Sequence, residues 1–335
     1  MTKVLLSADD RTGALEIGGL IANEVYSVPV GPSAESDQCC VVDIATRHLS
    51  ITEAQNRMSE ILSRDATYRA HKMDAGLRGN WPHEIEVLLK EGYKVAVVCA
   101  FPDAGRRCKD GVVYIHDLPV LDSVFGSDPL NPQVSSKPME VLEHFGVGGD
   151  VVVWDANTNE EMGAAVERAV AEDRIVVGAS GAIAAYAKLF LPTGAPRQVA
   201  LPRPLVVLCG SLNELSREQI AKIGEPVQHV VGKIKIDPVT VITTNRVSGP
   251  LDDDSAHAMA DLCADVIRGR WSEFRALLVI GGDTAGAIIG EETMDTIGCV
   301  APGIPVSWFR DKLVVTKGGG IGQPETVAEI VSRTV

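Results

Sequence analysis

One stretch limits what this chain can be more than any other. From Ala276 to Ile289 it reads Ala-Leu-Leu-Val-Ile-Gly-Gly-Asp-Thr-Ala-Gly-Ala-Ile-Ile. The apolar run 277–280 is short enough for a strand buried on both faces. It stops at Gly281-Gly282, and Asp283-Thr284 then opens a helix of small residues, 285–289. Such a turn leaves backbone N–H groups free at the positive end of a helix, where a phosphate can sit. Glycine lets the ligand approach the backbone, and an acidic residue in the same turn can hold a magnesium ion beside the phosphate. The stretch therefore reads as part of a nucleotide site, with Gly281, Gly282, Asp283 and Thr284 against the nucleotide and Asp283 as the metal ligand. Helix capping alone also favours Gly, Asp and Thr at this kind of turn. Neither G-x-x-x-x-G-K-[ST] nor G-x-G-x-x-G after a strand occurs, so the reading needs partners elsewhere.

The 335 residues leave room for two or three domains. Hydrophobic residues make up 45% and aromatic residues only 4%, which favours closely packed α/β layers over an aromatic-rich sandwich. A formal charge of −14 excludes a general nucleic-acid binder, which needs a basic face. A nucleotide is not excluded, because a nest of N–H groups and a few cations suffices. The seven cysteines, 39, 40, 99, 108, 209, 263 and 299, are odd in number and form no C-x-x-C; they read as reduced, mostly buried thiols. No secretory pattern precedes Asp9-Asp10 and no run approaches membrane-spanning length, so a soluble cytoplasmic protein is expected.

Read from the start, residues 3–7 form a strand that ends at Ala8-Asp9-Asp10-Arg11-Thr12-Gly13, ahead of the helical run 14–22. Ligands of open parallel sheets bind outside the carboxyl ends of strands. A second Asp followed by an Arg is more than a helix cap needs, so Asp9 and Asp10 are candidate catalytic residues and Arg11 a candidate substrate contact. A second strand, 40–44, leads through Arg47, on the same sheet edge, to a helix whose Ser50 and Glu53 have capping-box spacing. The stretch His71 to Asn80 mixes cations, a carboxylate and an amide with two glycines. Lys72 and Arg78 can clamp an anionic substrate, Arg78 offering a planar fork to a carboxylate. His71 reads as a solvated surface residue. A strand at 95–100 precedes the turn Lys109-Asp110-Gly111 and a strand at 112–115; Arg106 there reads equally well as substrate contact or structural cation. The Pro-rich stretch 127–138 reads as a long loop. Regular strand–helix–strand alternation follows through 150–154, 159–172, 174–178 and 182–190.

The stretch 191–204 carries four prolines and a glycine and is the expected linker. The fold expected is α/β, with two domains, each a mostly parallel sheet flanked by helices, and a ligand cleft between them. Their boundaries are residues 1–195 for the substrate and 196–335 for the nucleotide. In the second domain a strand at 204–209 ends at Gly210-Ser211, with Ser216 and Gln219 spaced as a capping box for the next helix. Ser211 is thereby left free for a nucleotide contact. Asp252-Asp253-Asp254 reads as a solvated helix N-terminus. A strand at 313–316 ends at Lys317-Gly318-Gly319-Gly320-Ile321-Gly322. Three adjacent glycines are costly in chain entropy, so Lys317, Gly318, Gly319 and Gly320 read as a phosphate- or ribose-hugging loop. Three glycine turns at strand ends, at 210–211, 281–284 and 317–322, point to one convergent ligand site.

These residues, taken together, resemble a known family. Ala8-Asp9-Asp10-x-Thr12-Gly13-Ala14, Lys72-x-Asp74-x-x-Leu77-Arg78-Gly79-Asn80, Gly210-Ser211, Gly281-Gly282-Asp283-Thr284 and Thr316-Lys317-x-Gly319-Gly320-x-Gly322 look like the four-carbon acid sugar kinase family, in the family's order and across nearly the whole chain. The resemblance implies a sugar-acid-binding first domain, a nucleotide-binding second domain, and phosphorylation of erythronate-, threonate- or 3-oxo-tetronate-like acids at the expense of ATP, with Mg2+. On this reading Asp9 or Asp10 is expected to accept or position the proton of the attacking hydroxyl, and Arg11, Lys72, Asp74, Arg78 and Asn80 are expected to face the acid. The expected partners are the sugar acid and ATP, with neither nucleic acid nor membrane, and with a homodimer left open. Three departures stand out. Arg11 replaces the usual Leu, Ala75-Gly76 replaces the usual Ser-Thr and removes two hydroxyls, and the chain is shorter than most members. The rival reading is a non-catalytic sensor that binds nucleotide or acid without turnover. A nicotinamide dehydrogenase would need the dinucleotide fingerprint, and a metal hydrolase a clustered histidine motif.

Overall fold

The computed structural model describes residues 3–126, 132–244 and 253–335. The chain falls into two compact units: one of the residues up to Ile21 plus Pro29–Thr193, the other of Ala22–Val28 plus Gly194–Val335.

The first unit runs β1 (Val4–Ala8), α1 (Arg11–Ile21), β2 (Val28–Gly31), β3 (Cys39–Asp43), α2 (Ile51–Ser63), β4 (Tyr68–Lys72), α3 (Trp81–Lys90) and β5 (Lys94–Val98). A small antiparallel sheet follows, β6 (Arg106–Lys109), β7 (Val112–Ile115) and β8 (Leu118–Pro119). The unit continues with α4 (Pro138–His144), β9 (Val151–Val153), α5 (Asn159–Ala171), β10 (Arg174–Gly178) and α6 (Ser180–Lys188). Its main strands lie in the order β2-β3-β1-β4-β10-β5-β9, all parallel. From β1 the chain moves to β3 on one side and then crosses to β4 on the other, so the order reverses beside β1. Open α/β sheets bind ligands at such a point, outside the carboxyl ends of the strands. The core combines strand residues such as Leu5, Val42 and Val97 with Met58, Trp81, Ile85 and Leu88 from the helices.

The second unit runs β11 (Leu205–Cys209), α7 (Glu214–Ala221), β12 (Val227–His229), β13 (Val239–Thr243), α8 (Asp253–Arg268), β14 (Ala276–Ile280), α9 (Gly282–Ile289), β15 (Met294–Ala301), β16 (Ile304–Phe309), β17 (Lys312–Lys317) and α10 (Thr326–Ser332). Its strand order is β12-β13-β11-β14-β17-β16-β15. The pairs from β12 to β17 are parallel and the last two antiparallel. The order reverses between β11 and β14, which gives this unit its own switch point. Its core is built on Leu205, Val207, Val241, Leu278, Val306, Val315 and Ile330.

Several sequence expectations change. β4 is a central strand that the sequence reading does not place; His71 and Lys72 read there only as the start of a mixed polar stretch. The helix after the Asp pair begins at Arg11 rather than three residues later, and α9 begins at Gly282. The Ser50–Glu53 capping box is present, and Asp110 and Gly111 both take positive φ in the expected hairpin turn. Ser216 and Gln219 are not a capping box. The helix begins at Glu214, and Asn213 caps it by accepting from the Leu215 N–H. Of the expected long loop, 127–131 lies outside the described residues, as does Asp252 of the aspartate run; Pro138 begins α4 and Asp253 begins α8. The described cysteines are all free, six of them buried. Among the described residues no helix is long and apolar enough to cross a membrane.

Candidate functional site

In the first unit the register brings Ala8, Asp43, Lys72 and Gly178 level at the carboxyl edge of the sheet. Asp9 and Asp10 leave β1 there, and Lys72 ends β4 beside them. The Lys72 ammonium donates to Asp9 Oδ1 and Asp10 Oδ1, both at 2.8 Å. Arg47, on the chain after β3, donates through Nε to Asp9 Oδ2 at 2.8 Å and through Nη2 to Asp10 Oδ1 at 2.7 Å. Asp10 also accepts from the Gly13 N–H at 3.2 Å, so it caps α1 while it holds the cations. Gly13 is required by the crowding, because a Cβ there would lie 2.3 Å from the Lys72 ammonium nitrogen.

Burial by itself would raise the Asp10 pKa, but Arg47 and Lys72 outweigh it and hold the carboxyl well below its ordinary range. The same pairing, against burial, raises Lys72 and Arg47. Asp74 organises the next loop. It accepts from Gly76 N at 2.9 Å and from Arg78 N at 3.3 Å, and it takes Arg78 Nε and Nη2 at 2.9 Å each. Burial opposes ionisation of Asp74, yet Arg47 and Arg78 hold it far below its ordinary range. The missing side chain at Gly76 admits a ring: a Cβ there would be 2.7 Å from Phe125 Cγ, and Phe125 in turn lies 4.7 Å beneath the Arg78 guanidinium. Two of the proposed substrate contacts are engaged within the protein. Arg11 pairs with Asp43 at 2.9 Å, and Asn80 donates its amide to the Thr46 and Leu49 carbonyls.

Of three further neighbours, the sequence reading passes over Glu16, leaves Arg106 open and places His71 at the surface. Glu16, on α1, accepts from Ser180 Oγ at 2.6 Å, and burial raises its pKa. Arg106 is half-buried, with its guanidinium 5.7 Å from the centre of Phe125. His71 is not solvated. It is 1% exposed and links Ser7 Oγ, at 2.8 Å, to Glu84 Oε2, at 2.8 Å. The surrounding Leu5, Met58 and Leu88 make this a buried structural relay behind the site.

In the second unit the three glycine turns come together. β11, β14 and β17 are adjacent and in register, with Cys209 opposite Ile280 and Ile280 opposite Lys317. Gly210 N and Ser211 N both donate to the Ile280 carbonyl, and Gly281 N donates to that of Lys317. The turns touch closely enough that a Cβ on Gly210 would fall 1.9 Å from Thr284 Oγ1, and one on Gly319 would fall 2.5 Å from Ser211 Oγ. Gly281 has a φ of 122°, which a side chain would strain. Gly282 and Asp283 open α9 exposed to solvent, with no side-chain cap on the helix. Lys317 is 1% exposed and its ammonium donates to the Gly318 and Gly319 carbonyls at 2.8 and 3.3 Å. Gly320 stands at the rim of the same loop. Ser216 Oγ donates to the Gly319 carbonyl at 2.7 Å, and the Gln219 amide donates to the carbonyls of Ile321 and Gln323.

This geometry suits anions. A helix N-terminus with free N–H groups, beside a buried ammonium, attracts phosphate. Among the described residues no group of three His, Cys, Asp or Glu side chains is placed to hold a metal. A magnesium ion beside a phosphate needs few protein ligands, and Asp283 is an exposed carboxylate at this turn, of the chemistry such an ion takes.

The chain is similar to known proteins both in sequence and in fold. The family model described as a sugar-binding N-terminal domain matches residues 4–145. Over 98% of its length the chain is 24% identical to D-threonate kinase of Salmonella typhimurium, of which 97% is covered. It is 27% identical to D-erythronate kinase of Heliobacterium modesticaldum, over 67% of this chain and 60% of that one. A Salmonella typhimurium protein solved under a provisional tRNA synthase label superposes with a TM-score of 0.78 at 17% identity, over 100% of both chains. At that identity the likeness shows the fold alone.

Proposed function

We propose that this chain, a member of the four-carbon acid sugar kinase family, transfers the γ-phosphoryl group of ATP to a hydroxyl of a small sugar acid of the threonate or erythronate kind. The observation that carries the reading is the meeting of the 210–211, 281–284 and 317–320 turns around one buried lysine, at the switch point of the second unit. The names of the relatives support the substrate class, and the switch point of the first unit supplies a second polar centre.

In this reading the phosphates of ATP lie on the N–H groups of Gly281 to Thr284 and near the Lys317 ammonium, with Ser211 and Gly318 to Gly320 against the nucleotide. Asp283 would hold Mg2+, which when bound neutralises phosphate charge. The acid lies at the switch point of the first unit, where the cations Lys72, Arg78 and Arg106 make the field favourable to an anion. Phosphoryl transfer needs positioning and charge neutralisation more than covalent chemistry. Asp10, held ionised by Arg47 and Lys72, is better suited to position the attacking hydroxyl than to take its proton.

A coupled assay of ADP release over threonate, erythronate and 3-oxo-tetronate, with ATP at saturation, tests the reading. Turnover is expected with at least one acid, and a fall of about 100-fold or more in kcat for Asp10→Asn, the size usual for a group that aligns reactants. ATP binding without ADP release on any acid would return the chain to the sensor reading.

A further inference from the structure

The charges of the first site divide unevenly. Asp9 and Asp10 share Lys72 and Arg47, Asp74 holds Arg78 by two bonds, and Asp43 holds Arg11. Two charged groups stand outside this pairing. Arg106 has no carboxylate within 4 Å among the described residues; its recorded hydrogen bond is from Nη1 to the Ala104 carbonyl, at 2.7 Å. Glu16 has no cation within that distance among the described residues, and its recorded bond is the one from Ser180 Oγ. The fold brings the two together: Phe101 exchanges backbone bonds with Arg106 and lies against Gly181, the neighbour of the Ser180 that donates to Glu16, and Glu16 also feels Lys72 and Asp10 while Arg106 feels Asp74 and Arg78. They are therefore neighbours at one site, a guanidinium fork and a carboxylate, neither of which has a side chain of opposite charge within 4 Å among the described residues. A hydroxy acid has the complementary groups, a carboxylate for the fork and a hydroxyl for the carboxylate.

We infer that Arg106 anchors the carboxylate of the substrate acid and that Glu16 receives the hydroxyl that is phosphorylated, while Arg78 is retained by Asp74 as part of the frame. The inference rests on the kinase reading above. In the transfer step the hydroxyl oxygen bonds to the γ-phosphorus of ATP, the bond from that phosphorus to the β–γ bridging oxygen breaks, and ADP leaves with the electron pair. The hydroxyl proton passes to a Glu16 carboxylate oxygen. The Phe125 ring, admitted by Gly76, lies against both Arg78 and Arg106 and shields the anchor from water, which strengthens it.

The test compares D-threonate and D-erythronate with their neutral amides, each as phosphoryl acceptor, in the wild-type protein and in Arg106→Gln, Arg78→Gln and Glu16→Gln. A fork that holds a charged carboxylate is expected to favour acid over amide by about 10–100-fold in kcat/KM. Arg106→Gln should raise KM for the acid and bring the acid-to-amide ratio to about one. That ratio is taken within one variant, so it does not depend on how much of the protein is folded. Arg78→Gln should leave the ratio at its wild-type value. Glu16→Gln should lower kcat with little change in KM and remove the acidic limb of the kcat–pH profile. A ratio unchanged in Arg106→Gln, or lost in Arg78→Gln instead, overturns the anchor; an unchanged pH profile in Glu16→Gln overturns the proton acceptor. Absence of turnover on every acid in the wild type would be a failure of the kinase reading and would show itself before any variant was made.

Discussion

Lys317 is the residue whose chemistry is most exposed to test. Burial lowers its pKa to about 8, with only Cys209 opposing, and no carboxylate lies within 4 Å among the described residues. A bound phosphate would favour the charged form and raise that value, so affinity for ATP must depend on the free protein's ionisation. Below pH 8 the ammonium is charged before ATP arrives; above it, binding must also take up a proton. The dissociation constant for ATP is therefore expected to be level between pH 7 and 8, and to rise by up to about tenfold per pH unit above that. Titration calorimetry from pH 7 to 9.5 reads this directly, and Lys317→Met should abolish the rise. A level profile in the wild-type protein would place the anion elsewhere. This residue was legible in the sequence, because a lysine that closes an apolar strand and opens three glycines has few structural uses. Glu16 and His71 were not, and Arg106 stood open between substrate contact and structural cation. Glu16 meets Ser180 across 164 positions and His71 meets Ser7 across 64, and nothing local in a helix, a hairpin or a polar segment announces such partners.

At the scale of elements, β4 shows how a pattern misleads. Its sequence, Tyr-Arg-Ala-His-Lys, has no apolar alternation, yet it lies between β1 and β10 with its last three residues buried. Its polar groups are satisfied by specific partners: Arg69 by backbone carbonyls, His71 by Ser7 and Glu84, and Lys72 by the Asp pair. Functional strands break the hydrophobic rule where their side chains have other work. The helix α7 misled in the opposite sense, since Ser216 and Gln219 have capping spacing but tie down the glycine loop from inside the helix. That tie makes the 317–322 loop a pre-formed surface and not a slack one. A Cβ at Gly319 would press on Ser211 Oγ at 2.5 Å and Asn213 Cβ at 3.3 Å, whereas one at Gly286, on α9, would meet nothing within 4 Å beyond its own helix. Gly319→Ala should therefore cost about 1–3 kcal/mol in stability or ATP affinity through overpacking. Gly286→Ala should be neutral, or stabilising by up to about 1 kcal/mol. Thermal melts with and without ATP separate the two, and equal behaviour of the variants would remove the close contact of the loop with Ser211 from the argument.

At the scale of the whole molecule, the two units repeat one design, a parallel run whose order reverses beside its first strand and carries polar residues at that reversal. The βαβ rhythm made the sheets legible. It could not give the strand order, because β2, β12 and β15 lack strong signals of their own, the sequence reading passes over β13 and β16, and the reversal exists only once strands have neighbours. The units differ in what stabilises those edges. The first unit holds buried ion pairs, the second a glycine lattice of backbone bonds, and the difference has a consequence in acid. Asp10 and Asp74 carry the large carboxylate shifts of the first unit, both downward, and Glu84 is lowered as well. A carboxyl whose folded pKa is depressed stabilises the fold above its unfolded pKa, near 4, and loses that contribution as pH falls toward the folded value. Asp43 and Glu16 are raised by burial and act in the opposite sense; Glu16 has no cation within 4 Å among the described residues, and the pair that Asp43 makes with Arg11 does not overcome its burial, whereas the cations beside Asp10 and Asp74 do. The lowered carboxylates of the second unit, Glu292, Asp311 and Glu325, lie at the surface, where ion pairs contribute little. Between pH 5 and 2.5 the first unit should therefore lose stability ahead of the second. Hydrogen exchange followed peptide by peptide, corrected for the intrinsic pH dependence of exchange, should show protection fall in β1, β4 and α3 while β11, β14 and β17 remain protected. In Asp74→Asn the difference between the units should shrink, since one of the two dominant titrating groups is gone and Arg78 has lost its charged partner. Simultaneous loss of protection in both sets of strands would mean that the ion pairs beneath the first site do not set its stability in acid.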